Sequence, residues 1–216
     1  MAVGRTLPDE TAALVAKAGR KLHAISADLG STEPVGRVMF EAYAAAGRLD
    51  ILVNNAGIIR RADSLDFSEE DWDAVMDTNL KTVFFLSQAV AKRWVADGRG
   101  GKIINVASLL SFQGGLRVPS YTASKSALAG ITKSLCNEWA GKGINVNALA
   151  PGYFRTNNTT ALQADETRNR QILERIPAGR WGQPADIAGA AVFLASRAAD
   201  YMHGAIVPVD GGWLAR

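Results

Sequence analysis

The sequence has one cysteine, Cys136, and two histidines, His23 and His203, among its 216 residues. A disulfide within the chain needs two cysteines, and a structural zinc site needs about four cysteine or histidine ligands. The sequence can build neither, and we expect no metal site. The two histidines also stand in no pattern typical of a Ser–His–Asp triad, which disfavours a hydrolase of that kind.

Long apolar runs and dense blocks of positive charge are missing as well. The longest apolar runs are pieces such as "AGAAVFLA" at 188–195, too short to span a bilayer, and the first ten residues lack the apolar stretch of a signal peptide. The net charge is +3, but the 24 lysines and arginines are scattered, which disfavours nucleic acid as a partner. We therefore expect a cytoplasmic protein with neither a membrane nor a nucleic-acid partner.

Short runs rich in valine and isoleucine alternate with stretches of helical periodicity along the whole chain. Strands are predicted at 1–4, 21–27, 50–55, 102–108, 144–150 and 205–210. Helices are predicted at 9–18, 32–47 (with Ser31 and Thr32 as possible caps), 69–97 (capped by Ser68 with Asp71), 120–141, about 160–175 and about 184–196. This alternation, with no linker or repeat, predicts a single α/β domain over residues 1–216, a doubly wound, Rossmann-like parallel sheet.

A glycine-rich turn after the first strand, typical of dinucleotide-binding folds, is absent from the first 50 residues. The glycines of "DGRGGK" at 97–102 precede a strand and are read as a turn. The fold therefore lacks its first strand, glycine-rich turn and first helix, and the missing strand belongs between those at 1–4 and 50–55. Because unpaired buried backbone groups cost about 1–3 kcal/mol each, we expect the natural polypeptide to be longer, and nucleotide binding by this chain to be weak or lost.

The stretch "SLLSFQGGLRVPSYTASK" at 108–125 carries the candidate chemistry. Ser108 ends a predicted strand at the sheet edge where α/β proteins bind ligands, and Tyr121 and Lys125 lie one helical turn apart. A phenol with a pKa of about 10 becomes a better proton carrier near neutrality when a nearby ammonium lowers that value. Taken alone, however, this spacing far more often marks a solvated pair on a helix surface.

Six motifs in order decide between these readings: "DILVNNAG" (50–57), Asn79 in "MDTNLKTVFF", "IINVAS" (103–108), "YTASK" (121–125), "NVNALAPGYFRT" (145–156) and "VDGG" (209–212). Together they resemble the short-chain dehydrogenase/reductase family, from about residue 22 to 213. The family's first motif, Thr-Gly-x-x-x-Gly-x-Gly, is absent. The resemblance implies an NAD(P)-dependent oxidoreductase acting on CH–OH groups, with a mobile substrate lid at about 153–180. It also implies a homotetramer formed through the helices at about 69–97 and 120–141 and through the last strand.

The resemblance assigns roles to individual residues. Tyr121 exchanges the proton, Ser108 polarises the substrate oxygen, Lys125 lowers the pKa of Tyr121 and grips the nicotinamide ribose, and Asn79 holds a water that links Lys125 to solvent. The implied cofactor-binding residues are Arg5, Asp28, Leu29, Asn54, Ala56, Gly57, Tyr121, Lys125, Pro151, Gly152 and Thr156. NAD is favoured by the family, while Arg5 after the first strand keeps NADP open because arginine accommodates a 2′-phosphate.

Local stretches such as "SFQGGLRVPSYTASK", "RIPAGRWGQPADI" and "VDGGWLAR" resemble family members that act on deoxy sugar acids of the 2-dehydro-3-deoxy-D-gluconate or 2-deoxy-D-gluconate type. A carboxylate is well bound by arginine's planar fork, so Arg117 and then Arg60 are the predicted carboxylate ligands, with Gln113 for hydroxyls. Trp213 is read as a packing residue, or as part of a subunit contact or pocket lid. Two alternatives stay open: a 3-oxoacyl-carrier-protein reductase or other keto reductase, and a catalytically silent scaffold without the glycine-rich loop.

Overall fold

A parallel sheet of four strands forms the centre of the molecule, in a computed structural model that describes residues 1–6 and 9–216. The strands of the described residues are β1 (Ala2–Gly4), β2 (Ala24–Ser26), β3 (Ile51–Asn54), β4 (Gly101–Val106), β5 (Ile144–Pro151) and β6 (Ile206–Val209). The central sheet has the order β3-β4-β5-β6, and every pairing in it is parallel. A separate two-stranded parallel sheet pairs β1 with β2. The predicted α/β fold with parallel strands is confirmed.

Helices connect the strands as the sequence predicts. In the described part of the chain they are α1 (Asp9–Lys17), α2 (Val35–Ala46), α3 (Glu69–Met76), α4 (Thr82–Ala96), α5 (Pro119–Trp139), α6 (Thr160–Ala164), α7 (Glu166–Arg175) and α8 (Pro184–Ala195). None of these helices combines the length and the apolar character needed to cross a bilayer.

Two predicted helix starts have different outcomes. The Ser68 hydroxyl accepts a hydrogen bond from the Asp71 backbone N–H at 3.2 Å, so this cap of α3 is confirmed. The prediction that Ser31 or Thr32 caps α2 is wrong, because Pro34 already has helical backbone angles and stands at the cap position without a side-chain hydrogen bond. The ring fixes φ close to its helical value, and the helix can therefore begin directly after it.

The predicted helix at 69–97 is interrupted by a π-helical turn at Asp77–Lys81. Such a turn widens the helix by one residue and is often found at functional sites. Here it separates α3 from α4 and carries Asn79, which is completely buried.

The core lies on both faces of β4 and β5. Ile103 and Ile104, neighbours on β4, are both buried, and Trp94 of α4 packs against β4 with no exposed surface. The indole N–H of Trp94 donates to the Leu49 carbonyl at 2.7 Å. Since alternate residues of a strand face opposite sides of the sheet, burial of both isoleucines shows that helices cover both faces.

The two sheets are separated by an open cleft between β1 and β3. No backbone ladder joins them in the described residues, and a cavity of about 710 Å³ lies between their facing edges. Ile51 and Val53 of β3 are 44 % and 49 % exposed, which is unusual for apolar residues of a parallel sheet. The cleft lies where the sequence predicts a missing strand. That such a strand fills it stays a prediction.

Glycine at position 101 is required by the packing of Trp94. A Cβ at Gly101 would lie 2.5 Å from the indole ring, whereas a Cβ at Gly130 of α5 would meet nothing within 4 Å. We expect Gly101→Ala to lower the free energy of unfolding by about 1–3 kcal/mol through overpacking. Gly130→Ala is expected to raise it by about 0.5–1 kcal/mol, because alanine favours the helix. Urea denaturation of both variants measures the difference, and equal stabilities would contradict this account of β4.

Candidate active site

The candidate site lies at the carboxyl edge of the four-stranded sheet. Ser108 follows the end of β4, and its hydroxyl accepts from the Leu110 N–H at 3.2 Å, which starts a short 3-10 turn. Pro119 begins α5 with φ already near the helical value. Tyr121 therefore falls in the first turn of α5, and both Ser108 and Tyr121 line the same cleft.

Tyr121 is held in its neutral form by its surroundings. Burial raises the pKa of its phenol above the ordinary value, while a side-chain hydrogen bond with Ser108 and the positive charge of Arg61 pull the pKa downward. A neutral phenol beside a serine hydroxyl is able to give a proton to a carbonyl oxygen placed between them. The Tyr121–Ser108 contact is thus the pairing that the sequence predicts for the chemistry.

Lys125 lies one turn further along α5 and is 4 % exposed. Its Nζ donates to the Val106 carbonyl at 2.6 Å and lies 5.6 Å from the centroid of the Tyr121 ring. Burial lowers the pKa of Lys125 to about 8. The sequence predicts that Lys125 lowers the pKa of Tyr121, but in this structure the lowering influences are Ser108 and Arg61. The reason is geometric, because the ammonium is directed to the end of β4.

Asn79 fixes the loop that follows β3. Its Nδ2 donates to the Ile58 carbonyl at 2.9 Å, and its Oδ1 accepts from the Ile58 N–H at 2.8 Å. A third hydrogen bond joins Nδ2 to the Ser124 hydroxyl at 3.2 Å. The side chain therefore ties the loop to α5 next to Lys125. The predicted role of Asn79 in holding a water stays a prediction.

Several of the predicted cofactor residues surround the β1–β3 cleft and the ends of the strands. Leu29, Asn54 and Ala56 line the cavity between the two sheets. The Asn54 amide, however, donates to the Ser87 hydroxyl at 3.0 Å and to the Asn105 side-chain oxygen at 2.9 Å. Its side chain therefore joins β3 to α4 and β4, the structural role that asparagine at a strand end often has.

The remaining predicted cofactor residues divide into two groups. Pro151 and Gly152 line the cleft with Tyr121. Arg5, Asp28 and Thr156 are exposed and lie outside that cleft. Asp28 accepts from the Gly30 N–H at 2.9 Å, and Thr156 caps a short 3-10 turn at Asn157–Thr159. The structure thus brings Pro151 and Gly152 into the cleft with Ser108 and Tyr121, whereas Arg5, Asp28 and Thr156 lie away from it.

The residues present fit the nicotinamide and its ribose. A Cβ at Gly57 would lie 3.2 Å from the Asn79 Oδ1 and 3.7 Å from the Lys125 Nζ, so a side chain here would crowd Asn79 and narrow the approach to the lysine. A buried lysine beside a glycine-lined opening is a donor suited to ribose hydroxyls. The pyrophosphate end differs, because the sequence has no Thr-Gly-x-x-x-Gly-x-Gly turn.

The cleft that contains Ser108 and Tyr121 has a volume of about 470 Å³. Gln113 lines it, as predicted for a substrate residue, but Arg60 and Arg117 do not. Arg60 is turned away because it pairs with the Asp71 carboxylate at 3.0 Å. Arg117 takes a left-handed backbone conformation with φ of 62°, and its carbonyl accepts from the Ala62 N–H. The placement of both arginines at the substrate is therefore not supported by the structure.

Three arginines that the sequence reasoning missed line the cleft: Arg61, Arg168 and Arg175. Arg61 was not predicted because the sequence alone does not distinguish it from the adjacent Arg60. The other two belong to α7, where Arg168, Gln171, Ile172 and Arg175 follow a helical spacing and face the cleft together. The 3.6-residue period of α7 is a sequence signal that would have found them.

The predicted lid at about 153–180 covers one side of the cleft. Tyr153, Leu162 and Ile172 of this segment line it, and Ile172 packs in one apolar cluster with Trp181 and Trp213. Trp213 is 4 % exposed and also lines the cleft, which supports the reading of this residue as part of the pocket wall. Motion of the segment stays a prediction.

A family model described as enoyl-(acyl carrier protein) reductase matches residues 2–214. The 2-dehydro-3-deoxy-D-gluconate 5-dehydrogenase of Escherichia coli strain K12 is 59 % identical over 209 residues, 97 % of this chain and 83 % of that protein. The chain belongs to the short-chain dehydrogenase/reductase family. It is an oxidoreductase of the kind that acts on a CH–OH group with NAD(P).

Solved structures agree with this membership. A protein from Agrobacterium tumefaciens, provisionally named a 2-deoxy-D-gluconate 3-dehydrogenase and solved with bound NADP, is 64 % identical with a TM-score of 0.92. The alignment covers 99 % of this chain and 85 % of that one. A gluconate 5-dehydrogenase from Burkholderia cenocepacia J2315, solved with NADP and tartrate, is 40 % identical with a TM-score of 0.91, over 99 % of this chain and 85 % of that one.

The buried lysine makes stability depend on pH in a defined direction. Its pKa is about 8 in the folded chain against an ordinary value of 10.5, so between these values the unfolded chain binds more protons, and stability rises with pH. Lys125→Met cannot titrate. We expect the free energy of unfolding of the wild type, relative to Lys125→Met, to rise by about 1 kcal/mol per pH unit from pH 8 to 10.5. Urea titrations across this range measure it, and a flat or falling difference would contradict the burial of a charged lysine.

Proposed function

We propose that the chain transfers a hydride between NAD(P) and a secondary alcohol or ketone of a deoxy sugar acid, as a 2-dehydro-3-deoxy-D-gluconate 5-dehydrogenase. The observation that carries the proposal is the hydrogen-bonded pair of Tyr121 and Ser108 in a cleft that three arginines also line. The name of the Escherichia coli relative, 59 % identical over 97 % of this chain, supports the choice of substrate.

The chemistry follows from the protonation state of each group. In the reducing direction, Ser108 donates a hydrogen bond to the substrate carbonyl oxygen and the neutral phenol of Tyr121 delivers a proton to it. The raised pKa of Tyr121 favours this form. In the oxidising direction the phenolate takes the hydroxyl proton. A bound nicotinamide would supply or accept the hydride at the carbon.

The cleft is suited to an anion. Arg61, Arg168 and Arg175 line it, and none of its described lining residues is an aspartate or glutamate. Their charges lower the pKa values of the tyrosines nearby: Arg61 acts on Tyr121, and Arg168 and Arg175 act on Tyr153, whose pKa burial raises. A positive field of this kind favours a carboxylate over a neutral ketone. An uncharged acyl thioester group gains less electrostatic stabilisation from this field. The cleft therefore favours a sugar acid as substrate over an acyl thioester.

The proposed reaction depends on the phenol of Tyr121. We expect Tyr121→Phe to lower kcat for oxidation or reduction of the sugar acid by about 10²- to 10⁴-fold, because the proton then has no carrier. Tyr201, which is fully exposed, offers the matched control, and Tyr201→Phe should keep the wild-type rate. Absorbance of the reduced nicotinamide reports turnover.

Three outcomes of that assay would redirect the proposal. Turnover of an acyl thioester with none of the sugar acid would favour the keto reductase, and cofactor binding without turnover of either would remove the sugar-acid proposal. No binding of NAD or NADP by the full natural polypeptide would favour the scaffold. The intact Ser108, Tyr121 and Lys125 constellation argues against a silent site.

We further propose that the chain accepts NADP, with Arg5 holding the 2′-phosphate. Arg5 directly follows β1 and is exposed, and two solved relatives carry bound NADP. Arginine's fork is the side chain best matched to a phosphate monoester.

Replacement of Arg5 tests the cofactor choice. We expect Arg5→Ala to weaken NADP binding by about 10-fold and to leave NAD binding nearly unchanged, since one charge-assisted contact to the phosphate is lost. Arg20→Ala, at another exposed arginine, is the control. Calorimetric titration with both dinucleotides gives the two Kd values, and an equal change for NAD and NADP would remove Arg5 from this role.

The cellular setting and the assembly are also proposals. We infer a cytoplasmic homotetramer formed through α3 and α4, through α5 and through the last strand. Two large apolar side chains of α4, Phe85 and Val95, are 40 % and 49 % exposed, and burial of such residues is typical of subunit contacts.

A further inference from the structure

We infer that Arg175 binds the carboxylate of the substrate, and that the C-terminal segment Gly211–Arg216 sets the preference for acids by holding Arg175 in place. The inference rests on the proposed function, which it deepens by assigning the acid-binding residue. It gives Gln113 and Trp213 positioning roles that neither the sequence motifs nor the relatives' names indicate.

Arg175 is held by two contacts inside the cleft. Its guanidinium carbon lies 4.1 Å from the centroid of the Trp213 ring, the geometry of a cation–π stack. One nitrogen, Nη2, donates to the Gln113 side-chain oxygen at 3.1 Å, and the same oxygen accepts from the Trp213 indole at 3.2 Å. The stack fixes the plane of the guanidinium, and the amide fixes its rotation within that plane.

These contacts leave most of the guanidinium available to a ligand. A guanidinium has five N–H donors, and the hydrogen bond to Gln113 uses one. No ion pair joins Arg175 to a carboxylate within residues 1–6 and 9–216, whereas its neighbour Arg170 pairs with Glu174. A fixed, accessible fork without an internal counter-charge is the arrangement that a bidentate carboxylate contact requires.

The C-terminal segment Gly211–Arg216 bonds the last backbone carbonyls of α7. Arg216 donates from Nη2 to the Glu174 carbonyl at 2.6 Å and from Nε to the Arg175 carbonyl at 3.3 Å. Trp213 is 4 % exposed and packs against Ile172 and Ile176. Both the backbone and the side chain of Arg175 are therefore positioned by the last residues of the chain.

Arg168 is a weaker candidate for the same role. It lines the cleft, but within the described residues its side chain makes one hydrogen bond, from Nη1 to Gln171 at 2.9 Å on the same helix. A side chain held in this way loses more rotamer freedom on binding than one already stacked and bonded. Preorganisation therefore favours Arg175 as the carboxylate ligand, with Arg168 contributing to the general positive field.

Carboxylate binding is measured without the cofactor. Trp213 stacks on Arg175, so tryptophan fluorescence reports a ligand at that guanidinium. We expect D-gluconate to change this fluorescence saturably and D-glucitol, which has no carboxylate, to bind at least 10-fold more weakly. Arg175→Ala should weaken gluconate binding by about 10- to 100-fold, as expected for loss of a charge-assisted contact. Arg170→Ala, on the same helix, should leave it unchanged.

Introducing one negative charge at Gln113 tests the mechanism with almost no change in side-chain size. In Gln113→Glu the new carboxylate would pair with the Arg175 guanidinium and occupy it, so gluconate should bind about as weakly as to Arg175→Ala.

Trp213→Phe keeps an aromatic ring but loses the indole donor. It should weaken gluconate binding less, by about 2- to 5-fold in Kd. For this variant the Kd is taken from calorimetry, because the reporting tryptophan is gone. Arg175→Lys should restore part of the affinity because the charge remains.

Kinetics separates this role from a structural one. For Arg175→Ala we expect KM to rise for the sugar acid, with kcat little changed and with little effect on a neutral ketone. Equal changes for both substrates, unchanged gluconate affinity in Arg175→Ala, or no gluconate binding by the wild type would overturn the inference. Arginine-dependent gluconate binding without any hydride transfer would count against the proposed function alone.

Discussion

The hydrogen bond from the Lys125 ammonium to the Val106 carbonyl fixes the site. A buried charge is costly unless it is well paired, so α5 has to lie where its lysine reaches the last carbonyl of β4. That position brings Tyr121, one turn earlier, beside Ser108, which follows the same strand. The Ser111 hydroxyl adds a second tie, because it donates to the Lys125 backbone carbonyl at 2.6 Å.

A chain of polar side chains extends this constraint through the core. The Asn54 amide bonds the Asn105 oxygen, and the Asn105 amide donates to the Thr132 hydroxyl at 2.9 Å. Strands β3 and β4 and helix α5 are thereby locked in register. Buried networks of this kind specify a single arrangement when every polar group has a hydrogen-bond partner. The network therefore also restrains the edge of the sheet where Ser108 and Tyr121 lie.

Much of this architecture was predictable because strand and helix periods are local properties of the sequence. Strands, helices and the Ser108–Tyr121–Lys125 set came from such patterns and from motif resemblance. Side-chain direction was not predictable. Arg60 and Arg61 look alike in sequence, yet Asp71 draws Arg60 out of the cleft. Arg175 was missed because its partners, Gln113 and Trp213, lie 62 residues before it and 38 residues after it. The hydrogen bond from Lys125 to the Val106 carbonyl was not predictable either, because the two residues meet only in the folded sheet.

The open cleft between β1 and β3 separates the two-stranded sheet from the four-stranded sheet. The small sheet and α2 pack on α4 through an apolar cluster in which Ile25 and Val38 meet Leu86, and no backbone ladder joins the two sheets in the described residues. Side-chain contact resists separation but does little to prevent sliding, because it lacks the directional register of a backbone ladder. A change in the relative position of the two sheets would therefore alter the distance between Leu29 and Tyr121, which lie on opposite sides of this boundary, without moving Ser108 relative to Tyr121.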